Sequence, residues 1–295
     1  MIRLLRAVLT YGRMIKFSHS VFALPFALSG AAMAASRSGL HPAQLGWIAL
    51  AMVAARSAAM GFNRLIDRHL DAANPRTRNR ELPRGVVTPL AVGLFVALSS
   101  GLLVLAAGQL NRLCLYLSPV ALAILFFYSL TKRFTWASHL FLGLSLAGAP
   151  LGAWLAVAGH FDLPPVILGL AVLAWVAGFD IIYACQDFDY DRGAGLHSIP
   201  VRFGISRSLK LARLLHLVAM GLLFFLGELM ALNTLYTIGL GVIGGLLLYE
   251  HRLVRADDLS RLDMAFFTMN GIISTVYFAF TLADLLFLGE AVLWL

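Results

Sequence analysis

Long apolar runs recur along the chain, separated by short polar stretches. They are Phe17 to Ser36, Ser38 to Ala55, Gly85 to Asn111, Leu113 to Thr131, Phe134 to Phe161, Leu163 to Phe179, Leu214 to Gly227, Leu229 to Tyr249 and Met264 to Ala283. Most reach the roughly 20 residues that an α-helix needs to cross a hydrocarbon core of about 30 Å. Leu214 to Gly227 is shorter, and its helix is expected to begin nearer Ser206. The pattern predicts an all-α integral membrane protein with about nine transmembrane helices, a single polytopic domain over residues 1–295. The longer connections fall at about residues 72 to 86, 192 to 205 and 251 to 261.

Composition agrees. The chain is 60% hydrophobic and 13% charged, where a soluble domain carries about a quarter charged residues. A net charge of +8 would suit a nucleic-acid binder, but its distribution excludes one. With the N-terminus inside, Arg3, Arg6, Arg13, Lys16, Arg68 to Arg84, Lys132, Arg133, Arg192 to Arg213 and Arg252 to Arg261 all fall on the cytoplasmic side. The opposite loops hold only Arg37 and Arg112. This is the positive-inside asymmetry, and it predicts a cytoplasmic N-terminus and an external C-terminus. The opening "MIRLLRAVLTYGRMI" alternates basic and apolar positions and predicts a short amphipathic helix on the cytoplasmic leaflet. Cys114 and Cys185 have no partner spacing, so neither a disulfide frame nor a zinc site is expected.

The acids are scarce and informative. Of fifteen, six lie in two segments: Asp67, Asp71, Asp180, Asp187, Asp189 and Asp191. Asn63, Asp67 and Asp71 follow an i, i+4, i+8 spacing, and each step of four turns the helix by about 40°, so the three line one stripe about 12 Å long. Arg56 falls near the same face. In "DIIYACQDFDYD", Asp180, Tyr183, Asp187 and Asp191 form a comparable stripe, with Asp189 pointing elsewhere. An isolated acid at a helix end is usually a solvated loop residue or an arginine's partner; two matched rows are harder to explain so. Intramembrane carboxylates are costly and face a partner or cavity, and two rows of like charge require a cation.

Hard oxygen ligands without a histidine pair or cysteine favour Mg²⁺, which takes one or two carboxylates and completes its shell with water and substrate phosphates. Arg76, Arg78, Arg80 and Arg84 in "NPRTRNRELPRG" can then close over a polyanion, for which the planar guanidinium fork is suited. Acid rows under a basic lid at a membrane interface describe a site for a lipid diphosphate. "YSLTKR" adds Tyr128, Lys132 and Arg133 to the rim, or else a cytoplasmic anchor. His197 and Arg202 in "GLHSIPVRFG" stand beside the second acid row. His19 and Asn270 have ordinary interfacial and helix-packing explanations.

These residues resemble the motifs of the UbiA superfamily of intramembrane aromatic prenyltransferases. Asn63, Asp67 and Asp71 match its NxxxDxxxD motif; Asp180, Tyr183, Asp187 and Asp191 match DxxYAxxDxxxD. Tyr128 and Lys132 match YxxxK, and Arg76, Thr77, Arg80, Leu82, Pro83 and Gly85 match an arginine-rich loop segment. Arg64 departs from the aspartate that many members carry after the first asparagine, which alters the charge beside the acid row. "NPRTRNREL" and "KFSHSVFALPFAL" are most similar to the bacterial 4-hydroxybenzoate polyprenyltransferase branch, which also includes futalosine-route enzymes of menaquinone synthesis.

The resemblance implies nine helices around a central cavity under a cytoplasmic cap, in a bacterial inner membrane. It implies transfer of a polyprenyl group from polyprenyl diphosphate to a ring carbon of a small aromatic acid such as 4-hydroxybenzoate, in ubiquinone or menaquinone biosynthesis. Mg²⁺ would sit on Asn63, Asp67, Asp71, Asp187 and Asp191, and the diphosphate on Arg76, Arg80, Lys132, Arg133 and Arg202. Arg56, Tyr128 and Tyr183 would take the acceptor, although Arg56 could instead pair with an aspartate. Asp180, Asp191 or the released diphosphate would accept the ring proton. The alternatives are 1,4-dihydroxy-6-naphthoate as acceptor and, from another class, a cation-coupled transporter. Acids at one end of the helices under an arginine loop disfavour a pore.

Overall fold

Backbone amides that face hydrocarbon must pair within their own segment, which leaves the helix as the available structure for apolar runs of this kind. The computed structural model of the protein describes residues 9–16 and 22–289. Among the described residues there is no strand, only an isolated bridge between Arg255 and Asp258. In chain order the helices are α1 (Leu24–Ser38), α2 (Pro42–Ala73), α3 (Pro89–Leu110), α4 (Arg112–Thr131), α5 (Ser138–Ala158) and α6 (Leu163–Ala184). A 3₁₀ turn at Cys185–Asp187 leads into the short α7 (Phe188–Gly193) and α8 (Ile199–Phe203). Then come α9 (Ile205–Leu229), α10 (Thr234–Leu253), a π-helical turn at Met264–Met269 and α11 (Asn270–Phe287).

Their ends follow local chemistry. Proline occupies the first turn of α1, α3, α6 and α8, where its missing N–H is not needed. Thr88, Asp162 and Ser198 accept backbone N–H groups as caps. The start of α10 is capped from another helix: buried Asp284 of α11 accepts the N–H groups of Asn233 at 2.8 Å and Tyr236 at 3.0 Å.

Seven of these helices are long and apolar enough to cross a membrane: α2, α3, α4, α5, α6 with its continuation to Gly193, α9, and α11 with its π-helical turn. The expectation of nine spans therefore stands at seven by that measure. The other two long helices fall short for visible reasons. α1 has 15 residues and follows residues 17–21, which lie outside the described residues. α10 is rich in glycine and carries Glu250, His251 and Arg252 in its last turn. The membrane character of α3 is plain from its surface: Leu90, Leu94, Leu98, Leu102 and Leu105 form an exposed leucine stripe, which suits lipid and not water.

The chain divides into two compact units. One comprises residues 9–16 and Leu45–Leu130, taking in most of α2, all of α3 and α4 to its penultimate residue. Its core joins Met14, Ile15, Leu82, Val87, Val92 and Val96, with Tyr11, Phe62, Phe95 and Phe126 packed around them. The opening segment thus behaves differently from the expected leaflet-bound helix. Residues 9–14 are helical, but Met14 is 0% exposed and belongs to this core; residues 1–8 lie outside the described residues.

The other unit comprises residues 22–44 and 131–289. Within it α1 packs on α5, α5 on α6, α6 on α9, α9 on α10, α10 on α11, and α11 returns to α1. Small residues allow the closest crossings. A Cβ at Gly143 of α5 would collide with the Leu173 carbonyl of α6, and one at Gly30 of α1 with the Pro150 carbonyl of α5. Such backbone-to-backbone approach is how membrane helices gain packing energy without a hydrophobic drive between them.

Candidate active site

In the first unit the acid row lies where α2 runs on beyond its apolar part. Asp67 is 2% exposed and Asp71 is 5% exposed. Asn63 Nδ2 donates to Asp67 Oδ2 at 3.2 Å and lies 3.5 Å from Ser129 Oγ on α4. The two oxygens of Asp71 differ. Oδ1 accepts from Arg80 Nη1 at 2.6 Å. Oδ2 has no hydrogen-bond partner, and Arg64 Nη1 stands at 4.0 Å, too far for one.

The arginine loop is a set of turns with its own anchors. Thr77 Oγ1 donates to the Asp71 carbonyl at 3.0 Å, and the buried Asn74 accepts the Arg76 N–H at 2.9 Å. Leu82 plugs into the core of the unit, and Gly85 adopts φ 71°, a left-handed conformation that disfavours any side chain. Arg80 is thereby aimed at Asp71, while Arg76, Arg78 and Arg84 stand exposed. Arg80, expected on the diphosphate, thus lies on an expected metal ligand.

Arg56 and Arg64 hold the opening segment. Arg56 Nη2 donates to the carbonyls of Lys16 at 3.0 Å and Ile15 at 3.4 Å, and its Nε has no partner. The aspartate pair considered for Arg56 is not what it makes. Arg64 Nε donates to the Met14 carbonyl at 3.1 Å from a 4% exposed position. The residue that departs from the family pattern is thus a buried anchor. Tyr128 is half-buried on α4.

In the second unit, Asp180 and Tyr183 lie on the last turn of α6, and Asp187 and Asp191 follow across the 3₁₀ turn and α7. All four are partly exposed, and Asp189 is exposed apart from them. A continuous α-helix was the basis of the predicted stripe; the 3₁₀ turn at Cys185–Asp187 advances each residue by roughly 20° more than an α-helix does. Tyr183 stacks on Phe266 of the π-helical turn, with ring centroids 3.9 Å apart. Lys132 and Arg133 follow α4, and the Lys132 carbonyl accepts the His197 N–H at 2.8 Å, which ties the second basic loop. Arg202 is exposed in the last turn of α8.

One residue near this row escaped the sequence reading. His139, 4% exposed in the first turn of α5, places Nδ1 2.7 Å from Asp180 Oδ2. Forty-one positions separate the two, so no local spacing could have paired them.

The donor set suits a hard divalent cation that relies on its substrate. Among the described residues, no three His, Cys, Asp or Glu side chains gather closely enough to hold a metal alone. Mg²⁺ does not require that, since phosphate and water complete its shell. A buried carboxylate oxygen without a partner, as at Asp71, is the kind of group it would satisfy.

The sequence matches the UbiA prenyltransferase family over residues 23–272. It is 34% identical over 218 residues to the 4-hydroxybenzoate octaprenyltransferase of Vibrio cholerae, covering 73% of this chain and 75% of that one. It is 33% identical over 229 residues to the 4-hydroxybenzoate octaprenyltransferase of Nitrosospira multiformis, covering 77% and 78%. The apo structure of a UbiA homolog from Aeropyrum pernix K1 superposes with a TM-score of 0.83 at 32% identity, over 91% of this chain and 98% of that one. A UbiA homolog from Archaeoglobus fulgidus bound to GPP and Mg²⁺ shares the fold, with a TM-score of 0.72 at 21% identity over 93% and 99%.

Proposed function

The chain belongs to the UbiA prenyltransferase family, and from that membership we propose that it transfers a polyprenyl group from polyprenyl diphosphate to a ring carbon of 4-hydroxybenzoate or a closely similar aromatic acid. The product class is a quinone precursor, and the site opens to the cytoplasmic side of a bacterial inner membrane. The relatives named for 4-hydroxybenzoate support the acceptor class, and the Archaeoglobus homologs bound to DMAPP or GPP with Mg²⁺ support the donor and the metal. The single observation that carries the reading is Asp71: a buried carboxylate with Arg80 on one oxygen and no hydrogen bond on the other, beneath a loop of exposed arginines.

Asn63, Asp67, Asp71, Asp187 and Asp191 would hold Mg²⁺, which supplies Lewis-acid charge to the diphosphate leaving group. Arg76, Arg80, Lys132, Arg133 and Arg202 bind the diphosphate oxygens and stabilise the charge that grows on them as the allylic C–O bond breaks. The acceptor ring then forms the new C–C bond ortho to its hydroxyl. Its displaced proton passes to Asp180, to Asp191 or to the departing diphosphate. Water must be kept out, since it would capture the allylic cation first. Arg56, whose Nε keeps a donor without a partner, is suited to the acceptor carboxylate, with Tyr128 and Tyr183 beside the ring.

The test uses the purified full chain in detergent with a short allylic diphosphate and Mg²⁺, offered 4-hydroxybenzoate and 1,4-dihydroxy-6-naphthoate separately. C-prenylated 4-hydroxybenzoate, absent with EDTA and in Asp67→Ala and Asp187→Ala, is the expected outcome. Prenylation of the naphthoate alone moves the acceptor to the futalosine route. Uptake of a cation without any prenylated product overturns the enzyme reading.

A further inference from the structure

His139 is bonded at both ends of its ring. Nδ1 lies 2.7 Å from Asp180 Oδ2, and Nε2 lies 3.3 Å from the amide nitrogen of Ile199, the first residue of α8. A backbone N–H can only donate, so Nε2 presents its lone pair there. The ring proton therefore sits on Nδ1 and is donated to Asp180. One arrangement of hydrogens satisfies both contacts.

The burial of the pair is unequal. The His139 side chain is 5% exposed and that of Asp180 is 22% exposed. The imidazole thus stands behind the carboxylate, holds Oδ2, and leaves the rest of Asp180 to face outward. At its other end the ring catches the start of α8, whose last turn carries Arg202. The loop before α8 is fastened independently, through the His197 N–H on the Lys132 carbonyl. His139 joins α8 to the Asp180 side chain of the acid row.

We infer that His139 is a positioning residue with two separable duties: it fixes the rotamer of Asp180 for proton acceptance, and it pins α8 so that Arg202 is presented to the diphosphate. This rests on the roles proposed above for Asp180 and Arg202. His139 touches neither substrate; it acts through them.

The two bonds can be removed one at a time. In His139→Asn the amide N–H₂ takes the place of Nδ1–H and keeps the donor to Asp180, while Ile199 loses its acceptor. In His139→Gln the longer amide carries its oxygen to the Nε2 position and keeps the acceptor for Ile199, while Asp180 loses its fixed donor. His139→Phe removes both and keeps an aromatic ring in the place. A hydrogen bond to a charged group supports an effect of about tenfold to a hundredfold on the step it serves. The Gln variant should lose kcat by about tenfold or more with KM for the prenyl diphosphate unchanged. The Asn variant should raise that KM by about tenfold with the smaller loss in kcat, and Phe should do both.

A second measurement needs no turnover: limited trypsin digestion of the full chain in detergent, following cleavage after Arg202 by mass spectrometry. Asn and Phe variants should be cut there faster than wild type, and Gln at the wild-type rate. If wild type prenylates neither acceptor, the functional reading fails, and the digestion pattern still decides whether the imidazole pins α8. If wild type is active and all three variants lose only kcat in proportion to folded protein, with equal digestion rates, the positioning role is overturned.

Discussion

Asp71 shows how much can turn on two oxygens of one carboxylate. Arg80 Nη1 holds Oδ1 at 2.6 Å, and Oδ2 has only Arg64 at 4.0 Å. Removing Arg80 leaves a buried anion with no hydrogen-bonded cation, which is costly in a low-dielectric site. Since the Arg80 side chain is itself 21% exposed, the cost falls below that of a fully buried pair, to about 2 kcal/mol. Arg80→Ala should therefore melt below wild type in EDTA, and Mg²⁺ alone should recover more stability in the variant than in wild type, because the bound cation takes over the neutralisation. Equal melting of the two proteins in EDTA would show that Arg80 does not carry this charge. At this scale the sequence was informative where function repeats at helical spacing. The row Asn63, Asp67, Asp71 could be read because an i, i+4 spacing is a statement about one face. The partners could not: Arg64 on the Met14 carbonyl, Arg56 on Ile15 and Lys16, and His139 on Asp180 are all set by tertiary approach.

Elements were legible to the degree that hydrophobic length decides them. The apolar runs from Gly85 to Phe179 became α3 to α6 with boundaries close to those expected. What apolarity cannot report is a change in helical pitch. The 3₁₀ turn at Cys185–Asp187 and the π-helical turn at Met264–Met269 arise inside otherwise ordinary helical sequence, and both lie beside Tyr183, which stacks on Phe266. The loop between α2 and α3 was legible as a lid by its arginines, yet its rigidity rests on less obvious residues. Gly85 closes it at φ 71°, where the N–H of Gly85 reaches the Leu82 carbonyl at 3.0 Å and that of Val86 the Glu81 carbonyl at 2.9 Å. A Cβ there would meet nothing within 4 Å, so substitution costs backbone strain alone, about 1 kcal/mol for alanine and less for asparagine. The order of melting temperatures should be wild type, Gly85→Asn, Gly85→Ala, with KM for the diphosphate rising in the same sequence as Arg80 and Arg84 lose their frame. An alanine variant equal to wild type in both would mean that the loop does not depend on this turn.

For the whole molecule, charge says more than hydropathy about which loops share a side of the membrane. Seven helices qualify as spans by length and apolarity, and α1 and α10 do not. If α10 failed to cross, Arg252, Arg255 and Arg261 would lie on the opposite side from Arg192, Arg202 and Arg207. If α1 with the residues before it failed to cross, the opening basic residues would be parted from the arginine loop. Only when both cross do these basic stretches fall on one side, with Arg37 and Arg112 alone across from them. Translocating such clusters is disfavoured, and on that ground we propose nine crossings with the loops facing the cytoplasm. Chemistry points the same way, because a diphosphate headgroup does not cross a bilayer unaided and must be met on the side where it is supplied. Single cysteines at Arg78→Cys and Arg112→Cys, in a chain with Cys114 and Cys185 replaced by serine, should label with an impermeant maleimide from opposite faces. Arg78→Cys should react in inverted vesicles and Arg112→Cys in right-side-out cells. A reversed pattern would put the acid rows outside and leave the prenyl donor without access. Labelling of both from one face would remove one crossing between them, and with it the parity on which the basic loops share a side.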